Sequence, residues 1–318
     1  QGDSRLCLFR NTQGCEYFET VADRSRGWYF VRMASNIRFV SRIVPALLLA
    51  LFLPGIAGAE EPTPATSDIG VRLVAEAGFL GVIDHRIRYS GDDPVFRYDR
   101  DGGQDVLFPF YRLSAELEIG PRHTGPRYTG PRHAVIFLYQ PLTLRTRVEM
   151  PQDFVLDGET FTGDSLDLLY NFPFYRLSYL REVFRTPAWS VAAGGSMQIR
   201  NATIEFEGNQ GGFYRSAGIG PVPLLKVRAR YTLPSGLWLE SEIDGVYAPI
   251  SFLNGSDNDT VGALLDGSVR AGYPVSSRVE PFLNLRYLGG GASNKDPSDY
   301  TVNWLNVVTL SLGVAARL

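Results

Sequence analysis

From Val71 to Ile83 the odd positions are all apolar or small: Val71, Leu73, Ala75, Ala77, Phe79, Gly81 and Ile83. Charged residues take even positions, with Arg72 and Glu76 followed by Asp84, Arg86 and Arg88. A strict period of two is a strand signal, because successive side chains leave a strand on opposite faces. The run exceeds the ~5–6 residues of an ordinary soluble strand and suits the ~9–11 residues that a tilted strand needs to cross a bilayer. The pattern recurs at Leu107–Ile119, at 134–145, at Leu166–Leu180 and at Trp189–Thr203. It returns at Leu225–Leu233, Leu237–Tyr247, Val261–Tyr273, Val279–Tyr287 and Val302–Leu318. Ten strands are predicted, within a range of eight to twelve. The fourth changes its apolar parity near Pro173, which predicts a bulge there.

The connections alternate in length. Long polar ones are expected at Ser90–Gly103, Pro151–Gly163, Glu207–Gly218, Ser251–Asp259 and Gly290–Asp299, and tight ones at Pro234-Ser235-Gly236 and Pro274–Ser277. Long loops at one end and short turns at the other are the habit of transmembrane barrels. One turn is lengthened by tandem copies of a five-residue unit, TGPRY at Thr124–Tyr128 and TGPRH at Thr129–His133. A longer repeat, FPFYRLS, occurs at Phe108–Ser114 and again at Phe172–Ser178, consistent with growth by hairpin duplication.

The polar set is too charged for a soluble barrel's core. It holds Arg112, Glu116, Glu118, Arg145, Arg147, Asp266, Arg270 and Arg286 besides the sixth and seventh strands. There, a turn centred on Ser235 sets Arg230 opposite Glu240, Arg228 opposite Glu242 and Lys226 opposite Asp244, a ladder of opposite charges on one face. The apolar set carries Tyr111, Tyr231, Tyr247, Tyr273 and Trp304 near strand ends, as interfacial girdles do. The expected fold is therefore all-β: a single closed antiparallel transmembrane β-barrel over residues 70–318, with a charged lumen.

The segment ahead of the barrel reads as an export signal. Met33, Arg38 and Arg42 precede the apolar run Ile43–Leu53, Pro54-Gly55 end it, and Ala57 and Ala59 supply the small residues of a cleavage site. Residues 33–59 are the signal peptide, 60–69 a periplasmic leader, and 1–32 an upstream extension outside the fold, with both cysteines, Cys7 and Cys15. Residues 1–59 hold seven of the 31 basic and four of the 34 acidic residues, so the chain from Glu60 carries 24 and 30, a net charge of −6. An acidic, cysteine-free exported chain excludes a disulfide scaffold and argues against nucleic-acid binding.

Taken together, residues 70–318 resemble the bacterial outer-membrane β-barrels. The alternation from Val308 to Leu318 resembles the C-terminal strand by which that class engages the barrel-assembly machinery, although Leu318 stands where an aromatic is usual. The resemblance implies a place in the outer membrane, in contact with its lipid and lipopolysaccharide. Enzymes of that class act on lipid A or on peptides, and such chemistry needs a base beside a nucleophile. His85, His123 and His133 are the histidines. Asp84 and His85 point to opposite faces, and no His-x-Ser or His-x-Asp pattern surrounds His85. Asp257 and Asp259 are weak candidates for a hard cation, in a spacing unlike an EF-hand. No cofactor is expected. The expected function is a non-enzymatic structural or surface protein, or a narrow channel for a small solute. A barrel enzyme and a soluble exported ligand-binding barrel are the alternatives.

Overall fold

The structure, a computed structural model, describes residues 69–89, 94–120, 132–150, 153–163, 165–249, 260–294 and 301–318. The signal peptide with Ala57 and Ala59, the tandem TGPR turn and the acidic Asp257–Asp259 stretch lie outside the described residues. In chain order the strands are β1 (Ile69–Arg88), β2 (Phe96–Arg97), β3 (Leu107–Ile119), β4 (His133–Gln140) and β5 (Thr143–Glu149). Then follow β6 (Phe154–Leu156), β7 (Glu159–Phe161), β8 (Ser165–Asn171), β9 (Phe174–Arg185) and β10 (Trp189–Gly208). The last five are β11 (Phe213–Thr232), β12 (Trp238–Pro249), β13 (Thr260–Gly272), β14 (Val279–Asn294) and β15 (Thr301–Arg317).

Ten of these form the wall, each antiparallel to the next: β1, β3, β4 and β9 to β15, closed by the pairing of β15 with β1. Closure leaves no edge in the bilayer, which is the condition for strands to cross one. Each wall strand turns an exposed apolar side chain outward: Phe79, Leu117, Phe137, Leu177 and Met197 on one half, Leu225, Ile243, Leu265, Leu285 and Leu312 on the other. An apolar belt around the whole circumference would aggregate in water, so this barrel is embedded in lipid. The soluble-barrel alternative fails on that belt.

Above the belt, at the loop end, the pattern inverts. On β10 the outward residues become Asn201, Thr203, Glu205 and Glu207 while Ile204 and Phe206 are buried inside. Two prolines mark the same level. β4 continues into β5 past Pro141 and β9 continues from β8 past Pro173, and the hairpin β5–β8 stays paired to the upper half of β10. The register of β10 against β8 and β9 runs through Pro173 without an extra residue, so no bulge sits there. The parity change in the sequence has another cause. Leu166, Leu168 and Tyr170 face an apolar interior above the belt, whereas Tyr175, Leu177 and Tyr179 face lipid below it. Arg145 and Arg147 likewise point outward, Arg147 to Asp167, and do not belong to the lumen.

The bulge is on β1 instead, where the register shifts between Val82 and Asp84. It turns Asp84 and Arg86 outward to water and His85 and Ile87 inward, as the inversion requires. Two expected loops are also ordered as strand. The expected connection 151–163 contains the β6–β7 hairpin, and the one at 207–218 shrinks to a turn at 209–212 because β10 and β11 run on above the membrane.

Candidate functional site

The turn after β11 fixes the ladder. Gly236 takes a positive φ of 89°, open to glycine at little cost, and closes a tight connection. The β11–β12 register then places Arg230 opposite Glu240, Arg228 opposite Glu242 and Lys226 opposite Asp244. Lys226 Nζ lies 2.7 Å from Asp244 Oδ2 and 2.8 Å from Glu242 Oε1. Arg228 donates to Glu242 Oε2 from Nη2 at 2.9 Å. Arg230 is 3.7 Å from Glu240 and closer to Glu280, at 3.1 Å.

The ladder is one side of a web that crosses the barrel. A ten-stranded barrel is narrow enough for long side chains to meet across it. Arg228 Nη1 reaches Glu116 of β3 at 2.6 Å, and Arg112 of β3 reaches Glu242 at 3.4 Å. Glu76 of β1 accepts from Arg270 at 3.1 Å, from Asn284 at 2.7 Å and from Ser311 at 3.1 Å. Arg176 of β9 sits 2.8 Å from both Asp244 and Asp266 and donates to Gln198. Arg286 pairs with Asp266 at 2.5 Å and donates to Gln140. Ser196 Oγ donates to Asp244 Oδ1 at 2.5 Å. Both copies of the FPFYRLS repeat aim Phe-x-Phe-x-Arg-x-Ser inward, which puts Arg112 and Arg176 on two strands of the same direction with β4 between them.

An aromatic roof covers this layer at the loop end. His85, fully buried, stacks on Tyr98 with ring centres 4.2 Å apart, meets the edge of Tyr170 at 4.3 Å, and shares a hydrogen bond between Nδ1 and Gln104 Oε1 at 2.7 Å. Phe96, Phe154, Phe161 and Phe206 complete the cluster. Tyr98 enters on a loop clamped by Asp99, which accepts from Arg97 at 2.9 Å and from the His85 amide at 3.2 Å. Burial alone would raise the Asp99 carboxyl, but the Arg97 guanidinium and the His85 amide outweigh it and hold the group below the ordinary carboxylate range. A lowered folded pKa adds stability above the unfolded value of about 3.9, lost as pH falls through the folded one. The near-UV signal of the Tyr98 stack is therefore expected to drop in acid, and Asp99→Asn should weaken it at neutral pH and remove that step. An Asp99→Asn protein titrating like the wild type would exclude the clamp.

Sequence reasoning found the ladder and missed the web and the roof. Strand parity gives a residue's face but neither its height nor its bearing around the barrel, so cross-barrel partners leave no local signal. Among the described residues no group of three or more His, Cys, Asp or Glu side chains could hold a metal ion.

No family model matches the chain, and no curated protein sequence matches it. Its fold is similar to those of several solved structures. The outer membrane protease OmpT from Escherichia coli is 11% identical with a TM-score of 0.41, over 78% of this chain and 97% of that one. The β domain of the Bordetella autotransporter BrkA is 12% identical at 0.37, over 79% and 99%. Ail, the attachment invasion locus protein of Yersinia pestis, is 9% identical at 0.29, over 78% and 99%. These are bacterial outer-membrane β-barrel proteins of differing roles, and the likeness is one of architecture alone.

Proposed function

We propose that this chain is an outer-membrane barrel that conducts no solute: a closed scaffold that holds a folded head above the bilayer at the cell surface. The observation that carries the reading is the filled lumen. Arg176, Gln198, Lys226, Asp244 and Arg286 are each no more than 2% exposed, and an apolar aromatic layer caps them. An ion would have to break several buried pairs and then cross that apolar layer without a hydration shell, which is unfavourable on both counts. The channel reading is thereby the weaker one. The enzyme reading is weaker still, since His85 has no access to solvent and spends Nδ1 on Gln104. Export by the 33–59 signal, assembly through β15 and contact of the belt with lipid and lipopolysaccharide belong to the same proposal.

Reconstituted in planar bilayers, the protein is expected to give no stepwise conductance. Arg176→Ala/Arg286→Ala, which empties part of the web, serves as the positive comparison. Reproducible steps from the wild type, altered in size by that variant, would sink the closed-scaffold reading and restore the channel.

A further inference from the structure

The lumen is closed at the roof but open at the turn end. There a cavity of about 500 Å³ penetrates as far as the bottom of the charged web and stops. Among the described residues six arginines line it: Arg72, Arg132, Arg185, Arg228, Arg230 and Arg317. The carboxylates lining it are Glu116, Glu118, Glu182, Glu240 and Glu280. By charge the two sets nearly cancel. By hydrogen-bonding capacity they do not, because a guanidinium offers five N–H donors and a carboxylate about four lone-pair positions, so these groups bring about thirty donors against about twenty acceptors. Of these donors, Arg228 spends Nε and Nη2 on Glu242 outside the cavity.

The geometry shows where the surplus falls. Glu280 is shared by three guanidiniums, Arg230 at 3.1 Å, Arg317 at 3.2 Å and Arg72 at 3.8 Å. Glu116 is shared by Arg228 at 2.6 Å and Arg72 at 3.6 Å. Among the described residues, Arg72, almost wholly buried, makes only those two long contacts, and its Nε has no hydrogen-bond partner. At the mouth, Arg132 lies within electrostatic reach of Arg185 and Arg317 and also of Glu182 and Glu118, so three cations and two carboxylates meet where the cavity lies. Arg317, 44% exposed, spends Nη1 on Glu280, and Arg185, 21% exposed, spends Nη2 on Glu182 at 2.5 Å; a guanidinium has five N–H donors, so each keeps others for an occupant.

We propose that this vestibule binds a small polyanion, a molecule presenting several clustered phosphate or carboxylate oxygens, which enters from the turn end and is held chiefly by Arg185, Arg230 and Arg317. Such a ligand brings acceptors and no donors, which is what the wall lacks. The cavity volume of about 500 Å³ sets the size of the guest: a compact anion fits, and a long neutral chain brings no charge for the guanidiniums. The proposal goes beyond the closed-scaffold reading and does not depend on it, since the vestibule is a dead end whether or not the roof leaks.

Trp189 and Trp238 line the same cavity and report on it. The refolded protein is titrated with pyrophosphate in one arm and citrate in the other, with sucrose as the neutral control, and tryptophan fluorescence is followed at low salt. A saturable change is expected with at least one anion and none with sucrose. The arm that binds more tightly identifies phosphate or carboxylate as the preferred oxygen. Arg185→Gln/Arg317→Gln should weaken binding about tenfold or more, and Glu118→Gln, which removes a competing acceptor from the wall, should tighten it. Added salt should weaken binding throughout. Both variants lie at the mouth, and their folding is verified by an unchanged shift of the folded band on unheated gels. Absence of saturation with both anions, or equal affinity in the folded double variant, would overturn the site.

Discussion

Arg176→Leu should cost about 3–5 kcal/mol of barrel stability, the scale expected when one partner of a buried ion pair is removed. The Arg176 side chain is completely buried and lies 2.8 Å from Asp244 and 2.8 Å from Asp266. Without it, two carboxylates remain in a closed interior with Lys226 and Arg286 as their nearest counter-charges. Arg176→Lys keeps the charge but loses the fork that also reaches Gln198, and should fall between wild type and leucine. Adding Asp244→Asn to Arg176→Leu should recover part of the loss, since the two groups belong to one network. Urea unfolding in lipid vesicles, followed by tryptophan fluorescence, reads all of these. A loss below about 1 kcal/mol, the level of an exposed pair, would mean that water reaches this layer.

Leu225→Arg tests the other surface. Leu225 is 77% exposed on β11, outward and midway between Ile219 and Tyr231 on the same face. A cation there should cost ~2–4 kcal/mol if the belt is centred on it. Ala217→Arg is the internal comparison. It shares strand and face but lies above the belt, opposite Thr203, and should change stability by no more than ~0.5 kcal/mol. The same unfolding measurement decides. Equal costs at the two positions would show that the bilayer does not end between them.

How much of this could be read in the sequence depended on how local each signal was. The ten wall strands show in the period of two, and the ladder register shows because Pro234-Ser235-Gly236 is short enough to fix which residues face each other. The membrane belt follows from the same alternation. What misled was the assumption of a single environment along each strand. Leu166 and Leu168 are apolar because they face inward above the bilayer, yet in sequence they look like lipid-facing residues displaced by a bulge. On β1 the opposite happened: the apolar parity runs on unbroken, and a real bulge at Ile83 went unseen because the environment and the strand flip together. The roof escaped for a related reason. Phe96, Tyr98, Phe154 and Phe161 come from segments whose prolines and aspartates read as solvated loops, and only the folded barrel brings them over His85.

The inversion of the pattern above Pro141 and Pro173 divides the molecule by the kind of constraint each part bears. Below that level the wall is constrained on both faces, by lipid outside and by a buried, ion-paired interior inside. Above it, the outer face touches only water. Positions such as Arg145, Thr203, Glu205 and Arg215 can be exchanged among polar residues with little effect on folding, while the aromatic interior beneath them stays as it is. With the head at the cell surface, as proposed above, a lineage under pressure from antibodies, phages or predators can rewrite the outward appearance of this protein repeatedly and leave its assembly untouched. Sequence divergence among descendants should then concentrate on one face of the head rather than spread evenly through its loops.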